Sequence, residues 1–372
     1  MLEACQHQTV EEIDLNALAH NFKFFKSKIK LDTKTIAMVK ASGSGTGSYE
    51  IAKTLQDCGA TYLAVAVQDE GVDLRRAGIT LPIIVLNPST VNYKSMFTYH
   101  LEPEVYTIEV ARELIKEGKK YGVRNFPVHI KIDSGMHRLG FTLEQLPELS
   151  ELLTSQDVIM PVSVFSHLSS ANVPEQDNYT REQIEYFEVC ATQLQANFSH
   201  YIMRHILNTT GIVRFPEYQM DMVRIGVGMY GIKTVEDNSE DALMTVAELR
   251  AVVISIKNWE AGTTIGYGRR GVLERDSRIA TLAIGYADGL DRHFGNGNIK
   301  VLVNGTLCPT VGNICMDACM IDVTDAHCEI GDKVEIFGKQ LPIEQLSEAR
   351  GTIGYEILTS ISLRVKRVYF RE

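Results

Sequence analysis

Several short apolar runs in this 372-residue chain end in a residue able to do chemistry. "TIAMVKA" (35–41) carries Lys40. "VHIKID" (128–133) ends in Asp133, with Arg138 just beyond. "VSVFSH" (162–167) ends in His167. "HILN" (205–208) leads through Asn208 to Thr209, and "MVRIG" (222–226) holds Arg224 and Gly226. Taken singly, each has an ordinary structural role: a solvated lysine, an Asp133–Arg138 turn pair, a satisfied core histidine, a helix cap, a rim ion pair. An all-structural origin for every one of them is harder to sustain. A metal centre is disfavoured, because carboxylate and imidazole ligands are few at these run ends and the close pair Cys315 and Cys319 has no second pair at zinc spacing. A Ser-His-Asp hydrolase would need a G-x-S-x-G elbow, which is absent. The glycines of "MVKASGSGTGSYE" (38–50) fall at 43, 45 and 47, which is neither dinucleotide nor P-loop spacing.

A lysine that forms a Schiff base, beside a small anion site, fits these residues better. Thr209, the N–H groups after Asn208 and those around Gly226 can build the anion site, since helix starts and glycine turns bind phosphate. That combination points to pyridoxal 5'-phosphate.

The elements that must position these residues alternate. Apolar runs at 35–41, 62–67, 81–86, 101–106, 128–133, 162–167, 205–208 and 222–226 are mostly continuous and β-branched, as strands buried on both faces should be. Amphipathic stretches separate them. Residues 107–119 place Val110, Leu114 and Ile115 on one face, with Thr107 as N-cap, and 180–197 repeats the pattern. Strand–helix repetition of this kind predicts an α/β fold, a (β/α)8 TIM-type barrel, with chemistry at the C-terminal strand ends. A doubly wound open sheet alternates similarly. Beyond the acidic "VEDNSEDA" (235–242), which reads as an exposed linker, the runs become strand-like, and "VNGT" (303–306) is a hairpin signal. The expected domains are a barrel over 12–238 and a C-terminal mainly β domain over 239–372.

The net charge of −10 argues against nucleic acid or an anionic membrane as partner. No apolar run is long enough to span a bilayer, and the first residues do not read as a signal peptide. Seven cysteines without framework spacing suggest reduced thiols, hence the cytoplasm.

The motifs resemble those of the alanine racemases, a pyridoxal-phosphate family with a barrel and a C-terminal β domain, and the resemblance implies that residues 1–11 pack on the latter. "EIDLNALAHN", "AMVKASGSGTGSYEIA", "LAVAVQDEGVDLRRAGITLPIIVL", "KIDSGMHRLGF", "FSHLSSAN", "MVRIGVGMYG", "TIGYGR", "AIGYADG", "VGNICMDACMIDV" and "GYEILTSISLRVKRVY" follow in the family's order across nearly the whole chain. The resemblance implies racemisation of L- and D-alanine, supplying D-alanine for peptidoglycan, by two bases on opposite faces of the cofactor. Lys40 would bond the cofactor and act as one base, Tyr267 as the other. A phenol is a poor base at neutral pH unless positive neighbours assist it. The resemblance supplies such a chain, from Arg224 to His167 and from His167 towards the tyrosine. Arg224 would face the pyridine nitrogen, and an arginine keeps its proton, so the ring becomes a weaker electron sink. Asn208, Thr209, Gly226, Val227 and Tyr355 would surround the phosphate, with His167 also in the cofactor's surroundings. Arg138 would hold the substrate carboxylate or the cofactor's phenolic oxygen. Lys131 matches a position that the family often carbamylates to brace that arginine. Met316 and Asp317 would cross into a partner's site together with Tyr267, which implies a homodimer with shared active sites.

Three positions depart from the family pattern. Ser44 stands where the family places a tyrosine that touches the phosphate, Thr46 where it places a histidine, and Asn313 where many members have arginine. In the family the tyrosine matched by Tyr355 restricts the pocket, so the resemblance favours alanine. Two alternatives remain: a racemase of another small amino acid, and a catalytically weak cofactor-binding relative. The short lead-in before the first strand suggests a domain cut from a longer chain, such as the racemase half of a cell-wall ligase fusion.

Overall fold

The computed structural model describes residues 7–89 and 91–371. They fall into two compact units. One comprises residues 18–43 and the described residues of 48–244; the other comprises residues 7–17, 44–47 and 245–371.

The first unit is the barrel. Its strands are Lys34–Met38, Tyr62–Val65, Ile83–Val85, Leu101–Val105, Phe126–Lys131, Ile159–Phe165, Met203–His205 and Met222–Ile225. Neighbours in sequence pair in parallel, and the last strand pairs with the first. Two backbone bonds close the ring between the seventh and eighth strands: Asp221 N–H to Arg204 O at 3.1 Å and Arg224 N–H to Leu207 O at 3.0 Å. The predicted (β/α)8 architecture is what the chain adopts. Helix Ile108–Lys120 shows why the intervening segments cover the barrel. Thr107 caps it by accepting from the Val110 N–H, and Ile108, Val110, Ala111, Leu114 and Ile115 form its buried face.

The barrel interior is not uniformly apolar. One side is Ile36, Ala64, Ile84 and Met222, with Met38, Tyr62, Leu86 and Met203 against them. The other side is polar. Strand register sets Glu104 level with His129, His129 with Ser163, Phe165 with His205 and Ile36 with Arg224. Paired residues point to the same face, so strands four to eight send a column of polar side chains inward.

The second unit is mainly β. Its eight-stranded sheet runs Ser277–Leu282, Cys319–Asp322, Thr306–Val311, Lys300–Val303, Lys333–Phe337, Ala247–Trp259, Thr9–Asp14, Lys366–Phe370. The hairpin predicted at "VNGT" forms, with Asn304 and Gly305 at positive φ of 46° and 82°. The strand Thr9–Asp14 lies between Ala247–Trp259 and Lys366–Phe370. The expected barrel start at residue 12 therefore falls inside a strand of this unit. Residues 1–6 of the expected packing segment lie outside the described residues.

One local expectation is corrected. The acidic stretch 235–242 is not a plain solvated linker. Glu240 is fully buried because its carboxylate accepts from the Thr234 and Val235 N–H groups and the Thr234 hydroxyl.

Candidate active site

Lys40 follows the first barrel strand and begins a left-handed turn. Ala41, Ser42 and Gly43 have φ near 53–60° and ψ near 42–52°. Left-handed geometry costs a non-glycine residue roughly 1–2 kcal/mol, so something must hold it. Gly43 N–H bonds the Val39 carbonyl at 3.0 Å. The Glu70 carboxylate accepts from Ser42 N–H at 3.2 Å and from Ala66 N–H at 2.8 Å. The turn is a clamped support for Lys40, not the slack that its glycines suggest.

The Lys40 amine has no hydrogen bond or ion pair among the described residues. Burial lowers its pKa, and the Arg138 charge lowers it further. A lysine of this kind has a larger fraction of free, nucleophilic amine at neutral pH. Arg138 is exposed and has no ion pair among the described residues. Asp133 does not pair with it: that carboxylate instead accepts from Gly135 N–H at 3.0 Å and His137 N–H at 2.9 Å.

Arg224 is only 5% exposed. Its terminal nitrogens donate to His205 Nδ1 at 2.8 Å, Ser166 O at 2.7 Å, Ile206 O at 2.8 Å and His167 Nδ1 at 3.2 Å. Nε makes none of these bonds and remains as a donor. Burial pushes the guanidinium down to about 10, still charged at neutral pH. An arginine can only donate, so both imidazoles accept at Nδ1 and carry their proton on Nε2. His167 and His205 lie well below the imidazole range, first through burial and then through the Arg224 charge.

Glu104 is 3% exposed and answers the surrounding cations Lys131, Arg224 and Arg138. Burial raises its carboxyl and lowers the Lys131 amine, and each charge opposes the other's shift. Asn208 caps the short helix Thr209–Arg214 through its bond from Gly211 N–H, and Thr209 Oγ1 accepts from Gly226 N–H at 2.8 Å. Gly226 opens a second short helix, Val227–Tyr230. The first N–H groups of both helices have no intrahelical acceptor. The barrel unit thus brings together Lys40, His167, Asn208, Thr209, Arg224, Gly226 and Val227, with Lys131 and Glu104 linked to them by charge.

The same test can be put to the expected cofactor. An unpaired amine suits an aldehyde, a spare guanidinium donor suits a pyridine nitrogen, and the two helix starts suit a phosphate. The residues fit pyridoxal phosphate.

In the second unit Tyr355 is the acceptor of a 2.9 Å bond from Ser44 Oγ. Burial raises the Tyr355 phenol. Gly45 and Gly47 are required by close approach: a Cβ on Gly45 would meet the Leu358 carbonyl oxygen at 2.3 Å, and one on Gly47 the Tyr369 hydroxyl at 1.8 Å. Tyr267 is 70% exposed. Asn313 steadies its turn by donating to the Tyr267 carbonyl at 2.9 Å. Met316 is exposed as well, and Asp317 is ion-paired to Arg364 at 2.7 Å.

Comparison with known proteins agrees along the chain. The family models "Alanine racemase, N-terminal domain" and "Alanine racemase, C-terminal domain" match residues 13–234 and 246–369. The chain belongs to the alanine racemase family. It is 38% identical to alanine racemase of Clostridium tetani, over 97% of this chain and 95% of that one. It is 37% identical to alanine racemase 1 of Caldanaerobacter subterraneus, over 96% and 94%. Among solved structures, alanine racemase of Clostridium difficile superposes with a TM-score of 0.92 at 34% identity, covering 98% of this chain and 96% of that one. Alanine racemase of Bacillus anthracis with bound L-Ala-P gives 0.91 at 32%, with the same coverage.

The site of this alanine racemase family member also contains residues that the motifs do not single out. They are Glu70, Glu104, Ser166 and His205. Glu70 lies in the helix Gln68–Arg76, Ser166 just past the strand Ile159–Phe165, and Glu104 and His205 within strands. For Glu104 and His205 the available signal was a polar residue on a strand that must be covered on both faces.

Proposed function

We propose that this chain interconverts L- and D-alanine with pyridoxal phosphate as cofactor. The observation that carries the proposal is the free, partly desolvated Lys40 amine in the same unit as the spare Nε donor of Arg224, in a chain that matches the racemase family almost end to end. When bound, pyridoxal phosphate supplies the electron sink that makes an amino acid's α-proton removable.

The chain's own residues do the rest. The first N–H groups after Asn208 and Gly226, with the Thr209 hydroxyl and Val227, hold the phosphate, and Tyr355 contributes its hydroxyl. Arg224 donates from Nε to the ring nitrogen and does not release that proton. The acceptor bond at Nδ1 keeps His167 neutral, with its proton on Nε2. Lys40 Nζ takes or returns the α-proton on one face, and the Tyr267 phenol does so on the other. Arg138 holds the substrate carboxylate, supported by the buried charge of Glu104 and by Lys131, which serves as a plain amine or as its carbamate. Exposure of Tyr267, Met316 and Trp259 supports a homodimer in which Tyr267, Met316 and Asp317 reach a partner's site. D-alanine for cell-wall peptidoglycan is the corresponding physiological product. Free thiols at Cys190, Cys308, Cys315, Cys319 and Cys328 support a cytoplasmic location.

The purified protein is expected to show a visible absorbance band with pyridoxal phosphate and to convert L-alanine to D-alanine. Lys40→Ala should lose the band and the activity together. Tyr267→Phe should keep the band and lose racemisation by about 10²-fold or more. A wild-type protein with the band but no conversion of alanine would overturn the assignment.

A further inference from the structure

Arg224 is the end of a hydrogen-bonded chain that crosses the barrel interior. His205 Nδ1 meets Arg224 at 2.8 Å, and His205 Nε2 meets Ser163 Oγ at 3.3 Å. Ser163 Oγ meets His129 Nδ1 at 2.6 Å, and His129 Nε2 meets a Glu102 carboxylate oxygen at 2.9 Å. His129 and Ser163 are wholly buried and His205 is nearly so. The Glu102 side chain is only 13% exposed. Tyr62 packs edge-on against the His129 ring, with centroids 6.0 Å apart.

Chemistry fixes the direction of this chain from both ends. Arg224 can only donate, so His205 must accept at Nδ1 and donate from Nε2 to Ser163. With that lone pair of Ser163 taken, its hydroxyl proton is free to go to His129 Nδ1. His129 then donates from Nε2 to Glu102, and an ionised carboxylate can only accept. Every bond runs the same way, from guanidinium to carboxylate. Such chains polarise one another. If the far end were able to donate, His129, Ser163 and His205 could all reverse. His205 would then present an N–H to the N–H of Arg224, and the guanidinium would have to move.

We propose that Glu102, His129 and Ser163 are positioning residues for racemisation: they form a one-way hydrogen-bond chain that locks His205 as an acceptor and so holds the Arg224 guanidinium in place. The inference rests on the proposed role of Arg224 facing the cofactor. Glu102 thereby acts from the opposite part of the barrel interior without touching any ligand. A barrel interior filled only for packing would be apolar, as it is on the Ile36–Ala64–Ile84–Met222 side.

Glu102→Gln removes the charge but keeps the size, and its amide can donate, so it permits reversal. Ser163→Ala cuts the chain at a small side chain, so the fold is expected to survive. Each variant is compared with wild type as the holoenzyme, using 15N-labelled histidine to read imidazole tautomers, with His205→Gln to assign the signals. Wild-type His205 should be a single Nε2–H tautomer, and both variants should populate a second form. In alanine racemisation both should lose roughly tenfold in kcat, with KM within about twofold. In an Arg224→Lys background the same changes should have less than about a twofold effect, because their effect acts through the guanidinium. Unchanged His205 signals in both variants, or penalties that persist in full in the Arg224→Lys background, would overturn the chain. A wild-type holoenzyme that shows no racemisation would instead overturn the proposed function, and the tautomer measurement would still decide the chain.

Discussion

Ser44 shows what a single residue can change at this site. It replaces an aromatic ring of the family pattern, yet it is 1% exposed and its hydroxyl donates to Tyr355. With its oxygen already accepting, Tyr355 is left to donate its own proton elsewhere. Ser44→Ala should therefore cost about 1 kcal/mol of stability and weaken cofactor binding several-fold, because a buried phenol loses its orienting donor. Urea unfolding and a pyridoxal phosphate titration followed by absorbance would check both, and an unchanged titration would sink the role. At this scale the sequence was legible where candidate site residues close apolar runs. Lys40, His167, Asn208 and Arg224 could be picked out because a charged or polar group closing an apolar run is conspicuous. Glu104, His129 and His205 could not. They occupy alternate positions within strands, and a polar residue there reads as solvent-facing until closure of the barrel covers both faces.

Among the elements, the two short helices at the anion site depend on each other. Gly228 has no positive φ, so its requirement is steric. A Cβ there would meet Phe25 Cζ at 2.4 Å and Thr209 Cγ2 at 2.7 Å. Gly228→Ala should displace the Thr209 hydroxyl from the Gly226 N–H and destabilise the protein by about 1–3 kcal/mol. It should also lower phosphate affinity more than Ser44→Ala does, and titration with pyridoxal phosphate beside plain pyridoxal separates the phosphate contribution. Equal losses for the two ligands would count against the anion site. The strands and the helix capped by Thr107 were readable because hydrophobic period and capping chemistry are local. The left-handed turn after Lys40 was not. Its glycines imply freedom, whereas its geometry is held by Glu70, which is remote in sequence and becomes a neighbour only once the first two strands pair.

At the level of the whole chain, the change from strand–helix alternation to closely spaced strands marks the second unit, but it does not show that Thr9–Asp14 joins that unit's sheet. Strand pairing across most of the chain leaves no local trace. The buried charges also give the molecule a pH response whose parts oppose one another. His167 and His205 have folded pKa values well below the ordinary imidazole value of 6.5. Below that value the unfolded chain binds protons that the folded one does not, so these groups withdraw stability as pH falls. Glu11, held by Arg367 at 2.9 Å, and Glu104 have raised values, Glu11 to about 8 through burial. The folded state takes up their protons first, so they add stability over the same descent. Net stability against pH therefore cannot isolate the histidines, whereas a difference can. His205→Gln keeps an acceptor for Arg224 and a donor for Ser163 but does not titrate. It should be less stable than wild type at pH 7, with the gap closing by up to about 1.4 kcal/mol per pH unit below 6.5 as the wild type alone loses the His205 contribution. Urea unfolding of both proteins at pH 7, 6 and 5 measures that gap. A gap that stays constant over this range would mean that His205 takes up its proton equally in the folded and unfolded chains, which its bond from Arg224 forbids.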